Sequence, residues 1–215
     1  MRAATVALGF LVWCGPAVGQ TIPVTAKVRE TRQVSMQGMN IETRVQEGHY
    51  YRSSSGVTLE EWTSVTINGR VAKGTGFLTD PNSKKNFHLD FGSSIAREEP
   101  LNPGSPPDSD PEVATKIAAA RPASVVQRTI EGIPCTVNPM YILDPPSKEL
   151  TLVGEACHSE SYKLTLSYST KRTSQDGKTT VIQYELFAIQ LNREPDPAVF
   201  NLRERGFTIY GPLPQ

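Results

Sequence analysis

Apolar and polar residues alternate along most of this chain with a period of two, the signature of half-buried strands rather than helices. The segment 41–45 alternates in this way. Val57 and Leu59 set a phase that Thr63, Val65 and Ile67 continue. Asn68-Gly69 follows, a strong hairpin signal because both residues tolerate positive φ. The return segment, 71–79, contains Gly74 and Gly76, which predict a bulge or bend. After a turn at Asp80-Pro81-Asn82-Ser83, Phe87, Leu89 and Phe91 share one face, with His88 and Asp90 on the other. Short connections between such strands predict antiparallel neighbours.

The alternation stops at 98–110, where Pro100, Pro103, Pro106 and Pro107 lie among Gly, Ser, Asn and Asp. This composition predicts an exposed loop. Asp110 as N-cap, Pro111 at the first helical position and Glu112 in the first turn predict a short helix over 111–120, stopped by Pro122. Strands resume near Gln127. Ile133, Cys135 and Val137 share a face, and Asp144-Pro145-Pro146 reads as a turn. Tyr162, Leu164, Leu166 and Tyr168 alternate cleanly with polar residues. Asp176-Gly177 closes another hairpin, and 181–191 is apolar on both phases, which predicts a central strand covered on both sides. The corner 194–200 leads to a last strand ending at Tyr210. The expected fold is mainly β: about five strands, a proline-rich loop with one helix, then about five strands, forming an open, curved antiparallel half-barrel.

The N-terminus changes the setting. Arg2 precedes an uncharged, mostly apolar run over 3–13, followed by Gly15-Pro16 and the small residues Ala17 and Gly19. This is the pattern of a cleavable signal peptide, 1–19, with cleavage before Gln20, and the run is too short to span a bilayer. The expected domain is 20–215, exported to the periplasm or the extracellular space. Cys14, after Leu11-Val12-Trp13, offers a lipid anchor as the alternative, although Trp13 is large for a lipoprotein box. With Cys14 removed, Cys135 and Cys157 remain as an even pair in an oxidising compartment, where a structural disulfide is the expectation. The full chain balances 22 basic against 22 acidic residues, so charge gives no reason to expect nucleic acid as a partner.

Several motifs resemble known proteins. Tyr50-Tyr51-Arg52-Ser53-Ser54-Ser55-Gly56, the acids Glu60-Glu61, Glu131-Gly132 and the corner Arg193-Glu194-Pro195-Asp196-Pro197-Ala198-Val199-Phe200 resemble segments of uncharacterised exported bacterial proteins. At fold level the layout is similar to the periplasmic lipoprotein-carrier (outer-membrane lipoprotein-sorting) superfamily. That resemblance implies a curved sheet sheltering an acyl chain, but no binding residue carries over. The mature chain also begins strand-like at Val24, where those carriers begin with a helix.

Candidate chemistry is sparse. His49, His88 and His158 lack any spacing that would gather metal ligands. No Gly-x-Ser-x-Gly elbow occurs, and a Ser-His-Asp triad could be assembled only from distant residues. Gly177-Lys178-Thr179 echoes a phosphate-binding loop, but Arg172 stands where the loop requires glycine. Glu60 and Glu61 are strand neighbours on opposite faces and cannot act as one acid–base pair. Solvation is the expectation for Glu60-Glu61 and Glu98-Glu99, with a hidden role open for Glu61. Tyr50 and Trp62 fall off the main apolar phase, which allows packing on the second face or an exposed aromatic patch. The expectation is a non-enzymatic binding module without cofactor, metal or catalytic residues, taking an apolar or lipid-like ligand. The alternative is a protein–protein interaction module of the envelope or extracellular space.

Overall fold

In the computed structural model, the residues described are 21–100, 115–116, 119–120, 125–144 and 149–212. The expected signal peptide, its cleavage position and Cys14 lie outside them.

Seven strands come first: β1 (Val24–Met36), β2 (Met39–Arg52), β3 (Thr58–Ile67), β4 (Arg70–Ala72), β5 (Thr75–Asp80), β6 (Lys85–Asp90) and β7 (Ile95–Pro100). Five more follow: β8 (Val126–Ile130), β9 (Ile133–Asp144), β10 (Glu149–Ser159), β11 (Leu164–Thr173) and β12 (Lys178–Leu191). A 3-10 turn, Pro197–Phe200, precedes β13 (Thr208–Tyr210). All belong to one sheet, ordered β13-β7-β6-β5-β3-β2-β1-β12-β11-β10-β9-β8, with β4 pairing the far end of β3. Two meanders are thus joined edge to edge where β1 pairs β12. The sheet is not closed into a barrel. One pairing departs from the expected antiparallel pattern: β13 runs parallel to β7.

The sheet coils back on itself. The Glu131 carboxylate, in the β8–β9 turn, accepts hydrogen bonds from Ala188 N (2.9 Å) and Ile189 N (2.8 Å) on β12, three places away in strand order. Turn chemistry fixes the hairpins as read from the sequence. Asn68 and Gly69 have φ of 50° and 76°, as a tight right-twisted hairpin turn requires.

Two expectations are corrected, and a third falls mostly outside the described residues. Residues 98–100 are not loop but the end of β7, pairing with Phe87, Asn86 and Lys85. A proline is tolerated there because β13 covers only Ile95–Arg97, and among the described residues no strand pairs the outer edge beside Pro100. Of the helix expected over 111–120, Thr115, Lys116, Ala119 and Ala120 are described and helical, and the rest lies outside the described residues. The helical element described in full is the 3-10 turn, where Asp196 caps Ala198 N. Finally, β12 is central by pairing, yet only Tyr184 and Leu186 within it are buried, and Gln183 and Glu185 on its other face are exposed.

Apolar residues pack in two clusters. The larger contains Val24, Ala26, Val28, Trp62, Val65, Cys135, Cys157, Leu164, Leu166 and Leu186. The face of β1–β3 and β12 that carries these residues is called the inner face below. The smaller cluster, Leu59, Leu78, Phe87, Leu89, Ala96, Leu202 and Phe207, lies on the outer face of β3 and β5–β7 under the C-terminal segment. Both phases of β3 are therefore buried. Beyond Trp62 a bulge shifts the phase: Glu47 pairs Ser64 while Gly48 pairs Trp62, so Thr63 is extra. Across the bulge Trp62 and Val65 share the inner face, and the continuous phase expected from Leu59 through Ile67 is broken. At this point a Cβ on Gly48 would lie 1.7 Å from the Glu61 carbonyl oxygen, so only glycine fits.

Candidate functional site

Strand register brings polar side chains together on the inner face. Glu30 on β1 stands opposite Gln46 on β2 and Tyr184 on β12. Tyr184 stands opposite Tyr168 on β11, and Tyr50 opposite Glu60 on β3. The side chains interlock. Tyr184 Oη donates to Glu60 Oε2 (2.9 Å), Tyr168 Oη donates to Glu30 Oε2 (3.2 Å), and Gln46 Nε2 donates to Glu30 Oε1 (3.1 Å). The Tyr168 and Tyr184 rings stack at 4.6 Å, and Trp62 meets Tyr184 edge-on at 6.3 Å.

Burial governs the protonation of this cluster. It pushes the Glu60 carboxyl up to about 7; the Tyr184 hydrogen bond opposes the shift and the nearby Glu30 charge adds to it. Burial also raises Glu30, against the Tyr168 hydrogen bond and the positive charges of Arg44 and Arg32. Tyr168 and Tyr184 are raised well above the ordinary tyrosine value, first by burial and then by the carboxylates. They therefore remain neutral donors at physiological pH. The site can hold a proton near neutrality and can offer hydrogen bonds inside an aromatic wall.

A second constellation lies on the outer face. Arg205 donates to Glu61 Oε2 (2.5 Å) and to the Val199 carbonyl (2.9 Å), and its guanidinium lies 5.8 Å from the centroids of both Phe91 and Phe207. His49 Nδ1 approaches Glu61 Oε1 at 3.7 Å. This pairing pins the C-terminal segment over the smaller cluster.

The sequence motif 50–56 also has a structural explanation. Arg52 is buried and donates to the carbonyls of Ile22 (3.0 and 2.9 Å), Tyr162 (2.7 Å) and Lys163 (2.8 Å). Thr21 Oγ1 donates to the Ser53 and Ser54 carbonyls, both at 2.9 Å. The motif thus ties the β10–β11 turn to the start of β1.

The structure separates the other residues singled out in the sequence. Cys135 and Cys157 are bonded, with Cα atoms 5.4 Å apart. Trp62 is 3 % exposed and Tyr50 packs against the larger cluster, so neither forms an exposed aromatic patch. Glu60 and Glu61 do lie on opposite faces; Glu61 is buried, and Glu60 is half-buried with its carboxyl on Tyr184 rather than solvated. The three histidines remain apart: His49 beside Tyr51, His88 beside Phe77, and His158 with Nδ1 3.2 Å from Thr165 Oγ1. Among the described residues no group of three or more His, Cys, Asp or Glu converges as metal ligands. Sequence reasoning missed Glu30, Gln46 and Arg205. A polar residue on the buried phase of a strand was the available signal for the first two.

Among the described residues, hollows open to solvent include the following pair. One, of about 390 Å3, is lined by Arg29, Arg128, Glu155 and Glu185 among others, and its charges pair with one another. The other, of about 440 Å3, has a floor of Val57, Leu78, Phe87, Phe200, Leu202 and Ile209 and a rim that includes Asp80, Lys85 and Arg203.

No protein-family model and no curated protein matches the chain. Solved structures resemble it over most of its length. An uncharacterised conserved protein from Thermus thermophilus is 7 % identical, covering 86 % of this chain and 90 % of its own, with a TM-score of 0.45. A LolA superfamily protein from Nitrosomonas europaea is 11 % identical, covering 83 % and 90 %, with a TM-score of 0.30. An outer membrane lipoprotein-sorting protein domain from Vibrio parahaemolyticus is 9 % identical, covering 86 % and 92 %, with a TM-score of 0.27. The likeness to lipoprotein-sorting proteins read from the sequence is thus found among solved structures too.

Proposed function

We propose that the chain is an exported, non-enzymatic binding module for an apolar or lipid-like ligand. The observation that supports this reading is the 440 Å3 groove, whose apolar floor and charged rim suit a molecule with an acyl part and a polar end. The inner face beside Tyr184 is filled by the larger apolar cluster, so the groove between β5–β6 and the C-terminal segment is the site proposed. The disulfide and the N-terminal pattern support export.

Native mass spectrometry after organic extraction tests the proposal. The protein as purified should carry, or take up from added fatty acid, a lipid-like mass. The variant Ile209→Asp, at a partly exposed lining position, should lose it while remaining folded. A protein that neither carries nor takes up such a molecule would defeat the reading.

A protein partner is the second reading, and β13 favours it. This strand ends the sheet with all three residues exposed, including Ile209 and Tyr210, and its outer edge is free to pair among the described residues. Capture of a reproducible cross-linked partner that Tyr210→Lys abolishes would favour this reading over the lipid.

A further inference from the structure

On the inner face, one register step beyond the Glu30–Gln46 pair, Arg32 and Arg44 stand directly opposite each other on β1 and β2. Cross-strand neighbours are close enough to interact, and like charges so placed repel. The outer face shows how this sheet ordinarily neutralises an arginine: Arg29 stands opposite Glu47 and Glu185 and bonds to both, at 2.6 and 3.3 Å. Arg32 and Arg44 have no such partner. Neither makes an ion pair or a hydrogen bond through its side chain among the described residues, and the Nε of each is shut away from solvent with nothing to donate to. Buried donors are rarely left so.

The surrounding groups do not meet this need. Glu30 is the nearest influence, since both arginines hold its carboxyl down, but its two oxygens already accept from Gln46 and Tyr168. Glu42, opposite Val34 one step further along, pairs with neither arginine. Arg172 lies two strands from Val34 on the same register line, opposite Thr180, and adds positive charge. Ile67 and Ile182 flank the pair in the strand register and bring no polar partner to it. The buried Gln46 Oε1, beside the pair, is an acceptor that also lacks a partner.

We propose that Arg32 and Arg44 form a binding site for a phosphate group, with charged oxygens on the two guanidinia and a protonated phosphate oxygen donating to Gln46 Oε1. Two guanidinium forks match the geometry of an oxyanion, and binding replaces their mutual repulsion with attraction. The monoprotonated form satisfies the orphaned donors and the orphaned acceptor together. The site lies on the face opposite the apolar groove and does not depend on what that groove binds.

The test uses the full mature chain in phosphate-free buffer, titrated with inorganic phosphate and, separately, with monomeric dihexanoyl phosphatidic acid. Both should bind and raise the melting temperature. Arg32→Gln and Arg44→Gln should each weaken binding at least tenfold, while Lys27→Gln on the outer face leaves it unchanged. Tighter binding of the phosphatidic acid than of the free ion assigns the phosphate to a lipid headgroup; equal binding assigns it to the free ion. Without ligand, the two glutamine variants should melt at the wild-type temperature or above it, because a repulsion has been removed. Wild-type protein that binds neither probe, variants that bind as wild type does, or variants that melt well below wild type without ligand would each overturn the proposal.

Discussion

Tyr184 and Glu60 are 124 residues apart in the chain, yet the tyrosine hydroxyl donates to the glutamate carboxyl at 2.9 Å inside the sheet. One comes from the last strand of the second meander, β12, and the other from the third strand of the first. Their contact exists because β1 pairs β12 and brings the two inner faces into one.

That contact makes stability depend on pH. Burial raises the Glu60 carboxyl from 4.5 to about 7, so between these values the folded state binds a proton that the unfolded chain releases. Stability is then greatest below about 4.5, falls as pH rises toward 7, and levels off above it. Glu30 is raised as well and contributes in the same sense. The lowered carboxyls of Asp80, Asp90, Asp176 and Glu160 act oppositely, but at acid pH and near the surface, and the His158 imidazole, lowered by burial, opposes the trend nearer neutrality. From the size of the Glu60 shift, the loss is at most about 3 kcal/mol. Urea unfolding at pH 5 and pH 8 measures it. Glu60→Gln keeps an acceptor for Tyr184 and should flatten most of the dependence, with its stability near wild type at pH 5 and above wild type at pH 8.

Arg52 supports a second prediction. Its guanidinium reaches three carbonyls, those of Ile22, Tyr162 and Lys163, in a geometry that a single ammonium cannot reproduce. Arg52→Ala should lower stability by about 3 kcal/mol, and Arg52→Lys should recover only part of that loss. Hydrogen exchange should show the loss concentrated in the 160–163 turn and the first residues of β1. Uniform loss across the sheet would contradict the anchoring role.

Much of this arrangement was legible in the chain. Period-two alternation, Asn68-Gly69, Asp176-Gly177 and the pairing of Cys135 with Cys157 all announce local structure, each over a short stretch of chain. The bulge at Thr63 was not legible. A single extra residue inverts the facing of every neighbour on one side of it, and the glycine this bulge requires, Gly48, lies on the partner strand rather than beside Thr63. For this reason Trp62 reads as off-phase when it is core, and Glu60 reads as solvated when it faces the buried tyrosines. Glu61 could be noticed as a charge on an apolar phase, but its partner Arg205 is 144 residues away and no local pattern points to it. The joining of β1 to β12, and with it the whole inner-face cluster, is set by packing between meanders rather than by either meander alone.

The disulfide gives a third prediction. It closes a loop of 22 residues within the larger cluster. In the chain-entropy account such a cross-link contributes about 3 kcal/mol. Reduction, or the Cys135→Ser/Cys157→Ser double variant, should lower the melting temperature by about 10 °C for a domain of this size. The pH dependence assigned to Glu60 should persist in the double variant, because no cysteine contacts that carboxyl among the described hydrogen bonds.

The last prediction concerns the C-terminal segment. Glu61 is 7 % exposed, and Arg205 neutralises it while lying near Phe91 and Phe207. Arg205→Ala removes the cation and leaves a buried carboxylate whose remaining basic neighbour among the described residues is His49, at 3.7 Å. Breaking such a pair by removing one partner is expensive, about 3 kcal/mol or more, because the remaining charge stays desolvated. The chain can relieve this by releasing the segment 197–210 and letting water reach Glu61. Limited proteolysis should therefore cut Arg205→Ala near 200–206 much faster than wild type, while the β1–β12 half keeps its protection. Glu61→Gln in the same background removes the stranded charge and should restore much of the resistance. If the double variant is cut as fast as Arg205→Ala, the segment is held by the aromatic packing of Phe91 and Phe207 rather than by the ion pair.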